Sequence, residues 1–353
     1  MNTDKAGRKK KHFLGLFGLK RSANDQIVLG EPSTINSRTW WTSGYHKVQK
    51  NFPRASVEYD FGTCENLAVF AATMRGAKHQ FHESQNQDSF SVCSVEGPNK
   101  HIVIAVCDGV SGSKYSAYGS RRLARESVSR LAKYVQVSAS TSHVNEEAFR
   151  KVLMESSVAM QTWSSTDPDC PPTPPRETPA VELSTTIALV LINTQQNLNG
   201  DYPVQAAIVG DSPIYLSVDD HYEIKSSYTK GGDVVQNSTD ALPVTDNEQI
   251  AMTWVEMSLA PSSHILITTD GFSNVLREGN TKHAKILNFI WSTPASPANM
   301  LSHLVGVDFD RRGEDDDRTA VIVWSPPFKQ VLDTIETDEQ TTLATPNITS
   351  DKT

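Results

Sequence analysis

Three acidic sites in this chain stand at the ends of continuous apolar runs. Ile102-Val103-Ile104-Ala105-Val106-Cys107 stops at Asp108-Gly109, and Ile265-Leu266-Ile267-Thr268-Thr269 stops at Asp270-Gly271. Asp316-Asp317 stands just before Thr319-Ala320-Val321-Ile322-Val323-Trp324. Unbroken β-branched runs of this kind read as strands buried on both faces. An unpaired carboxylate at the mouth of a buried strand is costly, because desolvation disfavours its charge. Several converging there would raise one another's pKa unless a cation neutralised them. Hard oxygen donors without accompanying histidine or cysteine ligands suit Mg2+ or Mn2+, not zinc. Two such ions, about 3.5–4 Å apart, would activate a bridging water and clamp a phosphoryl group without any side-chain nucleophile. One Asp-Gly is an ordinary turn signal; its recurrence at strand ends carries the reading.

Other chemistries lack their residues. The chain has no G-x-S-x-G elbow and no catalytic-cysteine motif, and neither a Walker A loop nor a G-x-G-x-x-G after a strand. Its four cysteines, Cys64, Cys93, Cys107 and Cys170, form no CxxC pair and no zinc spacing with histidine. That scatter reads as a reduced, cytoplasmic protein. The net charge of −8 argues against nonspecific nucleic-acid binding. Hydrophobic content of 38% and charged content of 21% are globular values, and 353 residues suffice for one large domain with appendages. No apolar run approaches the roughly 20 residues that span a bilayer.

The elements that must hold the acids can be read in order. Residues 1–60 read as a basic N-terminal arm, 61–327 as the folded domain, and 328–353 as a disordered polar tail. In the arm, Arg8-Lys9-Lys10-Lys11, the short run Phe13–Leu19 and Lys20-Arg21 leave two readings. One is a disordered basic segment; the other is peripheral membrane contact through residues 8–21, with Phe13, Leu16 and Phe17 inserted. The domain begins with a strand over Leu67–Ala72. Asn86-Gln87-Asp88 then leads into the strand Ser89–Val95, which Glu96-Gly97-Pro98-Asn99 turns into the 101–107 run as a hairpin. Helices follow over about Ser116–Tyr134 and Asn145–Trp163, with Leu123, Val128, Leu131, Phe149, Val152, Leu153 and Val158 inward.

A proline-rich loop over 164–179 precedes the strand Ile187–Ile192. Val204–Val209 and Ile214–Val218 read as a hairpin around Gly210-Asp211-Ser212, and residues 219–262 as an exposed flap. A helix with Val275-Leu276 and another over Pro297–Val305 come before the last strand. Hairpins interrupted by two consecutive helices imply an α+β fold of antiparallel sheets covered by helices, not a doubly wound parallel sheet.

The ordered set Asn86-Gln87-Asp88, Asp108-Gly109, Ser184-Thr185-Thr186, Gly210-Asp211-Ser212, Asp270-Gly271 and Asp316-Asp317-Arg318-Thr319 resembles the metal-dependent protein phosphatase 2C family. Gly76-x-x-His79 ahead of Gln87-Asp88 is similar to a bacterial branch of it. The resemblance covers about residues 66–325 and implies a sandwich of two antiparallel β-sheets flanked by helices. It also implies a serine/threonine phosphoprotein phosphatase acting on a phosphorylated protein, opposed to a serine/threonine kinase, with no role for nucleic acid. By the same resemblance, Asp108 would bridge two Mn2+ or Mg2+ ions, with the Gly109 carbonyl on the first. Asp270 and Asp316 would hold the second ion, and Asp88 would act through metal-bound water. Asp211 marks a weaker third-ion site, and His79 is a candidate phosphate contact. A metal-bridging hydroxide would attack the phosphorus in line.

The departures from the family pattern are specific. Gln87 stands where a Glu is frequent, Val110 where a His often serves as proton donor, Glu83 where many members carry a phosphate-binding Arg, and Asn274 where an Asp supports the third ion. None of these is a direct ligand of the two core metals. They sustain a second reading, a pseudophosphatase acting as a binding or sensing module. Lesser signals have structural explanations: His82 as a loop histidine, Lys114 as a surface lysine, and Arg121, Arg122 and Arg125 as the solvated face of their helix. Ser184–Thr186 is expected to pack tightly at a strand start, and Trp40-Trp41 to pack back on the domain.

Overall fold

In a computed structural model of the protein, the acid-ended apolar runs are strands of two antiparallel sheets. The structure describes residues 57–327 apart from 77, 80, 81, 83, 98, 138–143, 163–179, 219, 220, 226–239, 245–249 and 278–315. The six-stranded sheet contains β1 (Val57–Cys64), β2 (Leu67–Met74), β7 (Ile214–Val218), β8 (His221–Lys225), β10 (His264–Thr268) and β11 (Arg318–Trp324), in the spatial order β1-β2-β11-β10-β7-β8. The five-stranded sheet contains β3 (Ser89–Val95), β4 (His101–Cys107), β5 (Ile187–Asn193), β6 (Tyr202–Val209) and β9 (Thr253–Leu259), in the order β3-β4-β5-β6-β9. Among the described residues the helices are α1 (Ser116–Val137), α2 (Glu146–Ala159) and α3 (Asp270–Arg277), with a 3-10 turn over Ala180–Leu183.

Strand alternation divides the core into layers. Ile102, Ile104 and Val106 of β4 pack between the sheets with Val190, Ala206, Ile267, Val321 and Val69. Val103 and Ala105 point the other way, onto Leu123, Val128 and Leu131 of α1 and Phe149 and Leu153 of α2. On the far face of the six-stranded sheet, Phe70, Leu266, Ile322 and Trp324 form a third cluster with Phe272 of α3. Central strands therefore bury both faces, which is why their sequences are apolar without interruption.

Several expectations are corrected. Val204–Val209 and Ile214–Val218 are not a hairpin, because β6 pairs with β5 and β9 while β7 pairs with β10 and β8. The chain crosses between sheets at Gly210, whose φ of +92° and close approach to Thr186 (2.5 Å for an added Cβ) exclude a side chain. The segment 219–262 is not simply an exposed flap: it supplies the edge strands β8 and β9, and Leu242 is buried and bridged to Thr185. An additional strand, β1, precedes the first one expected and pairs with β2 along its whole length. Helix α2 starts at the Asn145 cap, whose side chain accepts from the Ala148 N–H, but it ends at Ala159 and leaves Val158 59% exposed. Arg122 is buried, not on a solvated face. The arm expected over 1–60 gives way to β1 at Val57, and its remainder, 1–56, lies outside the described residues, as do Trp40-Trp41, Glu83, the loop 164–179, the helix expected at Pro297–Val305 and the tail 328–353.

Candidate metal centre

The antiparallel register carries the acids to one end of the sandwich. Ser89, just after Asp88, pairs with Cys107, just before Asp108. Ile187 pairs with Val209, so the start of β5 and the Gly210-Asp211 crossing lie side by side at the same end. In the other sheet Thr268 pairs with Ala320, and Arg318 with Met74, which places Asp270, Asp316 and the start of the 76–88 loop together.

Backbone and hydroxyl contacts hold these ends in place. The Asp108 carbonyl accepts from the Thr186 N–H at 2.8 Å and the Thr185 hydroxyl at 2.7 Å, while the Val110 N–H donates to Ser184. The Ser184–Thr186 motif thus anchors Asp108. Gly109 stands where an added Cβ would come within 2.7 Å of the Gln87 carbonyl and 2.9 Å of Ser116 Cβ, so the two acid-bearing loops touch there. Asp88 is buried; its Oδ2 accepts from the Thr269 hydroxyl at 2.7 Å. Thr269 Oγ1 in turn accepts from the Thr319 N–H, and the Thr319 hydroxyl donates to Thr73 Oγ1, which also accepts from Asn86. This chain of buried polar groups joins β2, β10, β11 and the loop before β3. Sequence reasoning missed Thr73 and Thr269 as supports, since neither carries a signal beyond its strand.

Electrostatics links the acids. Burial pushes the Asp88 carboxyl well above the usual carboxylate range, reinforced by the charges of Asp317, Asp270 and Asp316 and opposed by the Thr269 hydroxyl. Asp108 is pushed up in the same way, first by burial and then by Asp88, Asp270 and Asp211. It is partly accessible, yet dense surrounding protein still desolvates its carboxyl. Asp316 is raised by burial and by Asp270 and Asp317, against a hydrogen bond from the Asp317 N–H at 3.0 Å. Asp88, Asp108, Asp270 and Asp316 therefore share one field, and Asp211 reaches it through Asp108. Buried carboxylates that repel one another are a donor set suited to hard divalent cations, and the residues present fit such ions.

His79, the candidate phosphate contact, is 5% exposed, with Nδ1 2.7 Å from Asp317 Oδ2. That contact raises its pKa, with burial opposing. His79, Asp316 and Asp317 have ligand-type atoms within 4.8 Å of one another, a tighter grouping that includes Asp317, a residue not among the predicted ligands. Lys114 is exposed and lies over the Tyr115 ring, as a surface lysine should, and His82 is exposed in its loop.

Comparison with known proteins decides the family. The model for protein phosphatase 2C matches residues 75–307. The chain belongs to the protein phosphatase 2C family. The search of curated proteins returned no match. Among solved structures, the chain is similar to the phosphatase and partial regulatory domain of SpoIIE from Bacillus subtilis, at 15% identity, covering 76% of this chain and 63% of that one, with a TM-score of 0.44. It is also similar to the S. agalactiae serine/threonine phosphatase (16% identity, 76% and 99% coverage, TM-score 0.47). The Mycobacterium tuberculosis serine/threonine phosphatase PstP/Ppp gives 16% identity, 73% and 98% coverage, and a TM-score of 0.44. The two antiparallel sheets with flanking helices are the phosphatase 2C architecture.

Proposed function

We propose that this phosphatase 2C member is a metal-dependent serine/threonine phosphoprotein phosphatase, with residues 57–327 as its catalytic domain, since β1 starts four residues before the boundary expected at 61. Asp108, the Gly109 carbonyl, Asp270 and Asp316 would hold two Mn2+ or Mg2+ ions, Asp88 would support them through water, and Asp211 would serve a weaker third. Divalent ions bound there supply Lewis-acid activation of water and neutralise phosphoryl charge. The chain's own residues set the geometry. The start of β5 fixes Asp108, the Thr269 hydroxyl orients Asp88, and the Asp317 N–H orients Asp316. Val110 carries no proton to give the leaving alcohol.

One observation supports this reading above the others: acids from four separate segments meet at one end of the sandwich, where burial and neighbouring carboxylate charge push Asp88, Asp108 and Asp316 up. The test is hydrolysis of a phosphothreonine peptide with Mn2+ or Mg2+. Asp108→Asn and Asp270→Asn are each expected to lower the rate by about 10²-fold or more. Activity surviving both substitutions, or none with either ion, would overturn the proposal. The pseudophosphatase reading rests on Gln87, Val110 and Glu83 and predicts partner binding without turnover.

A further inference from the structure

Asp317 is buried, and its carboxylate is held at three points. Its Oδ1 accepts from the Gly76 N–H at 2.6 Å, and its Oδ2 accepts from the Gln87 N–H at 2.5 Å and lies 2.7 Å from His79 Nδ1. These three points are the start, the interior and the end of the 76–87 loop, whose next residue is Asp88. The backbone of Asp317 is used as well. Gly271, one residue after Asp270, packs against it so closely that an added Cβ would stand 2.0 Å from the Asp317 carbonyl oxygen. Asp317 also follows Asp316 directly and donates its N–H to that carboxylate. A single residue thus touches the three segments that carry Asp88, Asp270 and Asp316.

We infer that His79 and Asp317 form a positioning latch: their contact ties the 76–87 loop to the head of β11 and so sets where Asp88 stands relative to Asp316 and Asp270. His79 acts through Asp317 and not on a substrate phosphate. The inference rests on the proposed metal site for its functional consequence, though the latch itself is a statement about the loop.

The test uses the full chain with His79→Ala, His79→Asn, Asp317→Asn and the double variant His79→Ala/Asp317→Asn. Asn places an amide N–H near the position of His79 Nδ1, so it restores the donor. Two readouts are taken: amide exchange of peptides spanning residues 74–88 in protein free of divalent ions, and Mn2+ affinity by calorimetry. His79→Ala and Asp317→Asn should each speed exchange in that loop while β5 and β6 stay protected, and should each weaken Mn2+ binding by about 10-fold or more, as outer-shell partners do. His79→Asn should recover most of both losses, and the double variant should bind no more weakly than the worse single. Mn2+ affinity within twofold of wild type in both single variants, losses that multiply in the double variant, or unchanged loop exchange would each overturn the latch. If the wild-type chain binds no Mn2+, the phosphatase reading fails and the exchange result alone decides the latch.

Discussion

Asp108 sits where repulsion from Asp88, Asp270 and Asp211 adds to desolvation, so its charge destabilises the protein when no cation is present. Replacing it with Asn keeps the shape and removes the charge. Asp108→Asn should raise the unfolding temperature of the metal-free protein by a few degrees, about what 1 kcal/mol gives in a domain of this size. The same change should abolish the rise that Mn2+ produces in wild type; scanning calorimetry with and without the ion reads both, and a retained Mn2+ shift would refute it. His101, at the opposite end of β4, reports a different balance. It is buried, with Nδ1 2.8 Å from the Asn99 carbonyl, and burial lowers its pKa from 6.5. The unfolded chain therefore binds a proton that the folded one resists, and stability present above pH 6.5 is lost as pH falls below it. His101→Gln should flatten that part of the stability profile, measured by urea unfolding across the window.

At the scale of elements, the contact between α3 and β11 depends on a missing side chain. Gly271→Ala would put a methyl group 2.0 Å from the Asp317 carbonyl, a clash with backbone that cannot swing aside. A loss of about 1–3 kcal/mol is expected, with Mn2+ stabilisation reduced because Asp270 shifts with its helix. Gly112 is the control: it lies in the loop after Asp108 with nothing within 4 Å of an added Cβ, and Gly112→Ala should be close to neutral. Equal effects from the two substitutions would show that the close packing of α3 has no special role. The departures from the sequence reading also belong to this scale. The hairpin expected around Gly210-Asp211-Ser212 failed because a strand–turn–strand pattern does not say which sheet the second strand joins. Strands β8 and β9 were missed because edge strands are only partly buried and lack a continuous apolar run.

The whole molecule is stabilised chiefly by the layer between the sheets. Ile104, fully buried in that layer, pairs with Val92 on one side and Val190 on the other. Ile104→Ala should cost about 2–5 kcal/mol in chemical denaturation, whereas Leu198→Ala, at a fully exposed turn residue, should change little. Comparable losses at the two positions would mean that the core is not where the buried clusters put it. Cys64, Cys93 and Cys107 are free and buried, and burial holds the Cys64 thiol up at about 12 and the Cys93 thiol at about 11, so neither is a reactive thiolate. Among the described residues no helix is long and apolar enough to cross a membrane.

Sequence alone determined the central strands and the acids at their ends, because burial on both faces writes itself as an unbroken apolar run and a carboxylate that stops such a run stands out. It determined the antiparallel class too, through short turns and the two consecutive helices. Only the tertiary structure decided that β6 and β7 lie in different sheets, that Thr73, Thr269 and Thr319 tie the six-stranded sheet to Asn86 and Asp88 ahead of β3, and that the Asp317 carboxylate holds the 76–87 loop. Adjacent residues before a strand look alike in sequence. What separates Asp316 from Asp317 is the distance to backbone N–H groups at Gly76 and Gln87, more than two hundred positions away along the chain.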